Sequence, residues 1–195
     1  MTARTNETIG IDQLSIGYAG KDSPHIVANR IHTALLSGEL TCLLGANGAG
    51  KSTLLRTLSG FIPPISGNIL LNGRDLSLCT RTEMAQQISV VLTDKLDIND
   101  MTVRDMVALG RTPYTNFWGK MSDKDSAIVD QAMECVNISS LAKRRIQNLS
   151  DGERQKTMIA KALAQETPII LLDEPTAFLD FPSKVEVMQL LNRLS

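Results

Sequence analysis

Apolar and polar positions alternate loosely over residues 9–18 and again over 26–36, bounded by Gly17, Gly20, Pro24 and Gly38. This period-two pattern predicts two strands of an antiparallel flank. Residues 40–44 are a short unbroken apolar run ending in a glycine-rich turn, the pattern of a parallel strand buried on both faces, and the turn feeds a helix over 51–59. Residues 67–72 and 88–92 read as further strands, separated by a helix from about Thr80, where Thr80 and Glu83 have capping-box spacing. The period then lengthens. Thr102 caps a short helix carrying Val103, Met106 and Val107, and Ile128, Val129, Ala132, Met133 and Val136 form one face of another. A third helix over 151–165 precedes an apolar strand at 169–172, and Ser183 with Glu186 opens a last helix carrying Val187, Leu190, Leu191 and Leu194.

Composition narrows the class without changing this order. With 195 residues, 43% hydrophobic and 21% charged, the chain fits one soluble α/β domain that needs no disulfides. Twenty basic against twenty-one acidic residues remove the electrostatic footprint of a nucleic-acid binder. Cys42, Cys79 and Cys135 are scattered, with neither disulfide-scaffold nor zinc spacing, which suits a reducing cytosol. No run approaches the roughly 18 apolar residues of a membrane span, so any membrane role comes through a partner.

Three motifs carry chemistry. The first is Gly45-Ala46-Asn47-Gly48-Ala49-Gly50-Lys51-Ser52-Thr53, a G-x-x-x-x-G-K-S phosphate loop between a predicted strand and a predicted helix. Its glycines let backbone N–H groups converge on phosphate oxygens, Lys51 reaches the outer phosphates and Ser52 is a magnesium ligand. The second is Ile169-Ile170-Leu171-Leu172-Asp173-Glu174, an apolar strand tipped by two carboxylates. In phosphoryl transfer Asp173 would hold the Mg2+ shell and Glu174 would orient or deprotonate the attacking water, whereas alone the pair also reads as a helix cap before Pro175. The third is Leu149-Ser150-Asp151-Gly152-Glu153-Arg154-Gln155. Ser150 and Glu153 make an S-x-x-E capping box, and the same helix start could equally receive a γ-phosphate from another subunit.

In this order the motifs resemble an ATP-binding-cassette ATPase, with residues 149–155 similar to that family's signature sequence. Thr102-Val103-Arg104-Asp105, Gly110-Arg111-Thr112-Pro113 and Asp173-Glu174-Pro175-Thr176 resemble the ATP-binding subunits of bacterial iron-siderophore, haem and cobalamin importers. The resemblance implies a P-loop NTPase core with a mixed sheet, an antiparallel β flank and an inserted helical subdomain. It divides a single domain, 1–195, into a core of 1–92 and 167–195 and a helical part of about 93–166. It further implies ATP and Mg2+ as cofactors, Tyr18 stacked on adenine, and a dimer sandwiching two ATP molecules in which Ser150 and Gly152 act in trans. Phe178-Leu179-Asp180 would be the loop touching the opposite subunit. Integral membrane permease subunits and a periplasmic or lipoprotein solute-binding protein would complete the complex at the cytoplasmic face of the inner membrane. Without the resemblance, Tyr18 reads equally as a half-buried strand tyrosine.

Two positions depart from the family pattern. A glutamine that touches magnesium usually follows the strand at 88–92, but this chain has Thr93, with Gln86 and Gln87 before the strand. Threonine reaches the metal shell only through a water, which weakens coupling or hydrolysis unless a neighbour such as Asp94 substitutes. The family's switch histidine is also missing: the 21 residues after Glu174 contain no His, and His25 and His32, which precede the phosphate loop, read as structural. A nucleotide-binding regulatory module without turnover, or a soluble non-transport cassette, are the rival readings. Tyr114, Phe117 and Trp118 cluster in the helical part and read first as cover for its own core, second as a binding surface. The chain thus reads as a cassette cut short at its C-terminus, with an unpaired edge and exposed apolar side chains each losing roughly 1.5–3 kcal/mol of burial. Aggregation or dependence on a partner is the expected behaviour, and a monodisperse sample that melts cooperatively would refute it.

Overall fold

Both period-two stretches form strands. β1 (Glu7–Tyr18) and β2 (His25–Leu36) pair antiparallel from Glu7↔Leu36 to Tyr18↔His25. The computed structural model describes residues 7–21, 23–92, 100–115 and 119–194. These gather into two compact units, one running through Met84 and one comprising Ala85–Leu194.

In the first unit the sheet order is β2-β1-β3-β4, with β3 (Ser66–Leu71) and the short β4 (Arg74–Asp75) extending the antiparallel flank. Alternation puts Ile9, Ile11, Leu14 and Ile16 of β1 inside with Ile69 and Leu71 of β3 and Leu58 of α1 (Lys51–Leu58). α2 (Arg81–Ala85) opens at Thr80, whose N–H donates to Glu83 Oε2 at 2.7 Å, while Arg74 donates to Glu83 Oε1 at 2.9 Å. The first of these bonds, seconded by Arg74, holds the Glu83 carboxyl at about 2.

The strand expected at residues 40–44 is not formed. Leu40, Leu43 and Leu44 are 40%, 45% and 88% exposed and have no ladder partner among the described residues. An apolar run becomes a strand only where neighbours take up its N–H and C=O groups, and every strand pair of this unit's sheet is antiparallel.

The second unit is built around a parallel pair, β5 (Ile88–Val91) and β6 (Ile169–Leu172), in register from Ile88↔Ile169 to Val91↔Leu172. Packing thus groups these strands with the helices, where the sequence divides them as core and insertion. The helices are α3 (Val103–Ala108), α4 (Asp123–Cys135), α5 (Asp151–Ala164) and α6 (Phe181–Leu194). Val103, Met106 and Val107 of α3 and Ile128, Val129, Ala132 and Met133 of α4 fill one core with Ile159, Ala160, Val187, Leu190 and Leu191. Both apolar faces predicted from periodicity are therefore the buried ones. α3, α4 and α5 each start with a closed capping box, Thr102/Asp105, Ser122/Asp125 and Ser150/Glu153. The last helix begins two residues before the predicted Ser183: Asp180 is its cap, accepting the Ser183 N–H at 3.1 Å.

Arg111 is the buried hub of this unit. It is 4% exposed and donates to Asp125 Oδ1 (2.9 Å), the Ala164 carbonyl (2.7 Å) and Glu166 Oε2 (2.9 Å), with its guanidinium 4.2 Å from the Tyr114 ring centre. Beside it Gly110 has no room for a side chain, since a Cβ would sit 2.3 Å from the Lys161 carbonyl of α5. Tyr114 stacks on Arg111 but is 39% exposed and stands outside the helical core cluster, while Phe117 and Trp118 lie outside the described residues.

Ser122, through its hydroxyl and its N–H, and then Arg111 hold the Asp125 carboxyl at about 2. A carboxyl depressed in the folded state contributes stability above its unfolded value, near 4, and loses that contribution as pH falls towards 2. Asp125→Asn is expected to lower the melting temperature at pH 7 and to narrow the gap to the parent chain as pH drops from 4 to 2. A gap that stays constant with pH would contradict this origin.

Candidate functional site

The phosphate loop sits in the first unit and is shaped by its glycines. Gly48 (φ +80°) and Gly50 (φ +94°) adopt left-handed backbone that other residues resist, and a Cβ on Gly50 would come 2.5 Å from Val27 Cγ1 of β2. The loop is therefore seated on the antiparallel flank. Lys51 Nζ donates to the carbonyls of Gly45 (2.9 Å) and Ala46 (2.8 Å), which folds its ammonium back over the loop. Asn47 and Gly48 are exposed.

α1 differs from the capped helices at its start. Gly50 stands at the cap and no side chain bonds there, whereas α3, α4 and α5 close theirs with a box. The first-turn N–H groups and the positive end of the helix dipole are thus left to the loop and to what the loop holds. Thr53, at the third position, is 7% exposed and its Oγ1 lies 3.2 Å from the Tyr18 hydroxyl. That bond ties the aromatic at the end of β1 to the helix behind the loop, while Tyr18 as a residue remains 44% exposed. Tyr18, Gly45, Asn47, Gly48, Gly50, Lys51, Ser52 and Thr53 therefore belong to one constellation. His32 bonds Asp12 at 2.9 Å across exposed strands, a structural pair, and His25 is exposed at the start of β2.

The carboxylates and the signature turn belong to the second unit. Asp173 is 7% exposed at the end of β6, and its N–H donates to the Val91 carbonyl at 2.9 Å, continuing the ladder one step past the strand. Glu174 is exposed and left-handed at φ +47°, its carbonyl accepting the Ala177 N–H at 2.9 Å. Phe178 is left-handed as well (φ +60°), and its ring is 71% exposed. The chain reverses from buried acid to exposed acid within one residue.

At α5 the capping box uses the N–H of Ser150 (to Glu153 Oε2, 2.8 Å) and that of Glu153 (to Ser150 Oγ, 3.2 Å). The N–H groups of Asp151 and Gly152 stand outside it, so a cap and an anion site are compatible at this turn. Glu153 is further held by Arg144 at 3.3 Å, and these partners keep its carboxyl below the usual range, the Ser150 N–H foremost. Thr93 and Asp94 lie outside the described residues. No three His, Cys, Asp or Glu side chains gather as a metal cluster among the described residues. The hydroxyl of Ser52 and the carboxylate of Asp173 are the donor types that share Mg2+ with phosphate oxygens and water. The buried role of Arg111 is not legible in the sequence beyond one signal, Gly110-Arg111-Thr112-Pro113 following an apolar helix.

Residues 28–177 match the ABC transporter family, and the chain belongs to it. An uncharacterized ABC transporter ATP-binding protein of Methanocaldococcus jannaschii is 40% identical over 94% of this chain and 62% of its own length. The ferric enterobactin transport ATP-binding protein of Escherichia coli is 38% identical over 94% of this chain and 66% of its own. The chain thus spans about two thirds of the length of the curated relatives it matches. Among solved structures, CbiO1 of Clostridium perfringens, part of the ABC transporter complex CbiONQ, superposes with a TM-score of 0.83 at 28% identity. That match covers 97% of this chain and 74% of that one.

A left-handed glutamate costs on the order of 1 kcal/mol that glycine would not. Glu174→Gly is expected to raise the unfolding free energy by about that amount, less glycine's entropy, in a denaturant titration. A loss of stability would show that the Glu174 side chain itself contributes to the fold.

Proposed function

We propose that this chain is the ATP-binding and hydrolysing subunit of a bacterial importer, with an iron-siderophore, haem or cobalamin as cargo. The carrying observation is the start of α1, without a side-chain cap, with Lys51 folded over the loop carbonyls and Tyr18 anchored to Thr53. Lys51 exchanges carbonyl partners for outer phosphate oxygens, and Tyr18 offers its exposed ring to adenine. Ser52 and Asp173 are the residues that would hold Mg2+, which would supply neutralisation of phosphate charge. Glu174, exposed beyond the buried strand end, polarises the attacking water.

A second copy would complete the site, with Ser150 and the backbone of Gly152 binding the γ-phosphate in trans and Phe178, Leu179 and Asp180 facing that copy. No helix among the described residues is long and apolar enough to cross a membrane, which fits docking on permease subunits at the cytoplasmic face. The E. coli relative, named for ferric enterobactin transport, supports iron-chelate cargo, and a solute-binding protein outside the membrane would complete the proposed complex. Thr93, where the family carries glutamine, favours a second reading: a nucleotide-gated regulatory module without turnover.

The test is Mg2+-dependent phosphate release, with ATP binding followed separately. Glu174→Gln is expected to cut release by about a hundredfold while sparing ATP binding, and Lys51→Ala to weaken both. Thr93→Gln is expected to raise turnover. Binding without release in the parent chain would select the regulatory reading, and the absence of binding would exclude both.

A further inference from the structure

Gly152 has a neighbour in its own chain. A Cβ built there would lie 2.9 Å from Ser183 Oγ and 3.3 Å from Ser183 Cβ, so the first turn of α6 is seated directly against the turn that opens α5. Ser183 cannot simply swing away. Its N–H donates to Asp180 Oδ1 at 3.1 Å, and its hydroxyl bonds the same carboxylate, together keeping the Asp180 carboxyl below the usual range. One turn further along, Lys156 of α5 and Glu186 of α6 form an ion pair, a second contact between the two helices. Leu179, between exposed Phe178 and Asp180, is 7% exposed and belongs to the helical core.

From these contacts we infer that Ser183 is a positioning residue: it joins the Ser150–Gly152 turn to the Phe178–Asp180 loop, so that the two segments move as one body. Gly152 is then glycine partly to admit Ser183, and not only to let a phosphate approach the backbone. Motion of either segment is transmitted to the other through a rigid three-residue link, Gly152 to Ser183 to Asp180. The inference rests on the proposed trans role of Ser150 and Gly152 for its effect on turnover, but the joint itself is a property of one chain.

The test is a double-mutant cycle in the full chain with Gly152→Ala, Ser183→Gly and the pair, read by ATP turnover and by thermal unfolding. Gly152→Ala is expected to lower kcat about tenfold with KM for ATP within about twofold, because it tilts the turn rather than blocking phosphate. Ser183→Gly alone should cost about threefold, and the double variant should return to the Ser183→Gly level, since the clash is gone. Melting temperatures should be non-additive in the same sense. A double variant whose kcat loss is the product of the two single losses, or a Gly152→Ala defect confined to KM, would overturn the joint and leave Gly152 as a phosphate contact. If the parent chain binds ATP without turnover, the hydrolytic reading fails on its own, and the unfolding cycle decides: coupled shifts uphold the joint and additive shifts refute it.

Discussion

The Arg111 guanidinium is the constraint on which the second unit depends. A buried cation costs several kcal/mol of lost hydration unless every donor direction is met, and here Asp125, the Ala164 carbonyl, Glu166 and the Tyr114 ring surround it. Those partners come from the start of α4 and the end of α5 and beyond, so one side chain decides where three segments meet. Gln165 adds a second clamp at the same end of α5, donating to the Ala85 and Ile88 carbonyls at 2.6 and 3.2 Å, and Gln86 reaches the Pro113 carbonyl at 3.3 Å. The C-terminus of α5 is therefore fixed to β5, and a 14-residue helix is a lever of about 20 Å. Whatever sets one end sets the Ser150–Gly152 turn at the other.

The first unit solves a different problem with backbone rather than charge. Its loop must turn tightly, and Gly48 and Gly50 carry the left-handed angles while Val27 occupies the space a Gly50 side chain would need. Lys51 holds the loop carbonyls, which keeps its ammonium over the loop, so that in the proposed site little further ordering would be needed to meet a phosphate. The Tyr18–Thr53 bond adds the aromatic at a fixed distance from the same helix. A flank that reads as mere antiparallel sheet thus supplies both ends of the proposed nucleotide site.

Local signals were legible in the sequence, and pairings were not. The cap at Thr102, the capping boxes at Thr80 and Ser150 and the buried faces of α3, α4 and α6 follow from spacing alone, because cap and stripe are set within a few residues. The strand expected at residues 40–44 depended on neighbours elsewhere in the chain, and an apolar run carries no information about whether those neighbours arrive. The start of α6 was displaced because both Asp180 and Ser183 are capping residues, and a pattern of hydroxyl and acid cannot rank them. Asp180 prevails, bonding both the N–H and the hydroxyl of Ser183. Arg111 was read as a motif letter, since only burial shows that its charge is internal.

Two left-handed non-glycine residues, Glu174 and Phe178, stand four positions apart and bracket the turn between β6 and α6. Such backbone persists only when the surroundings over-determine it. Here the Asp173 N–H on Val91 fixes one side and Leu179 in the helical core fixes the other. The short path between those anchors forces the chain to reverse sharply, and the reversal is what carries Glu174 away from the strand end and displays Phe178. Strain and exposure therefore have one origin: the turn takes Glu174 abruptly from the strand end to solvent while its neighbour Asp173 stays buried.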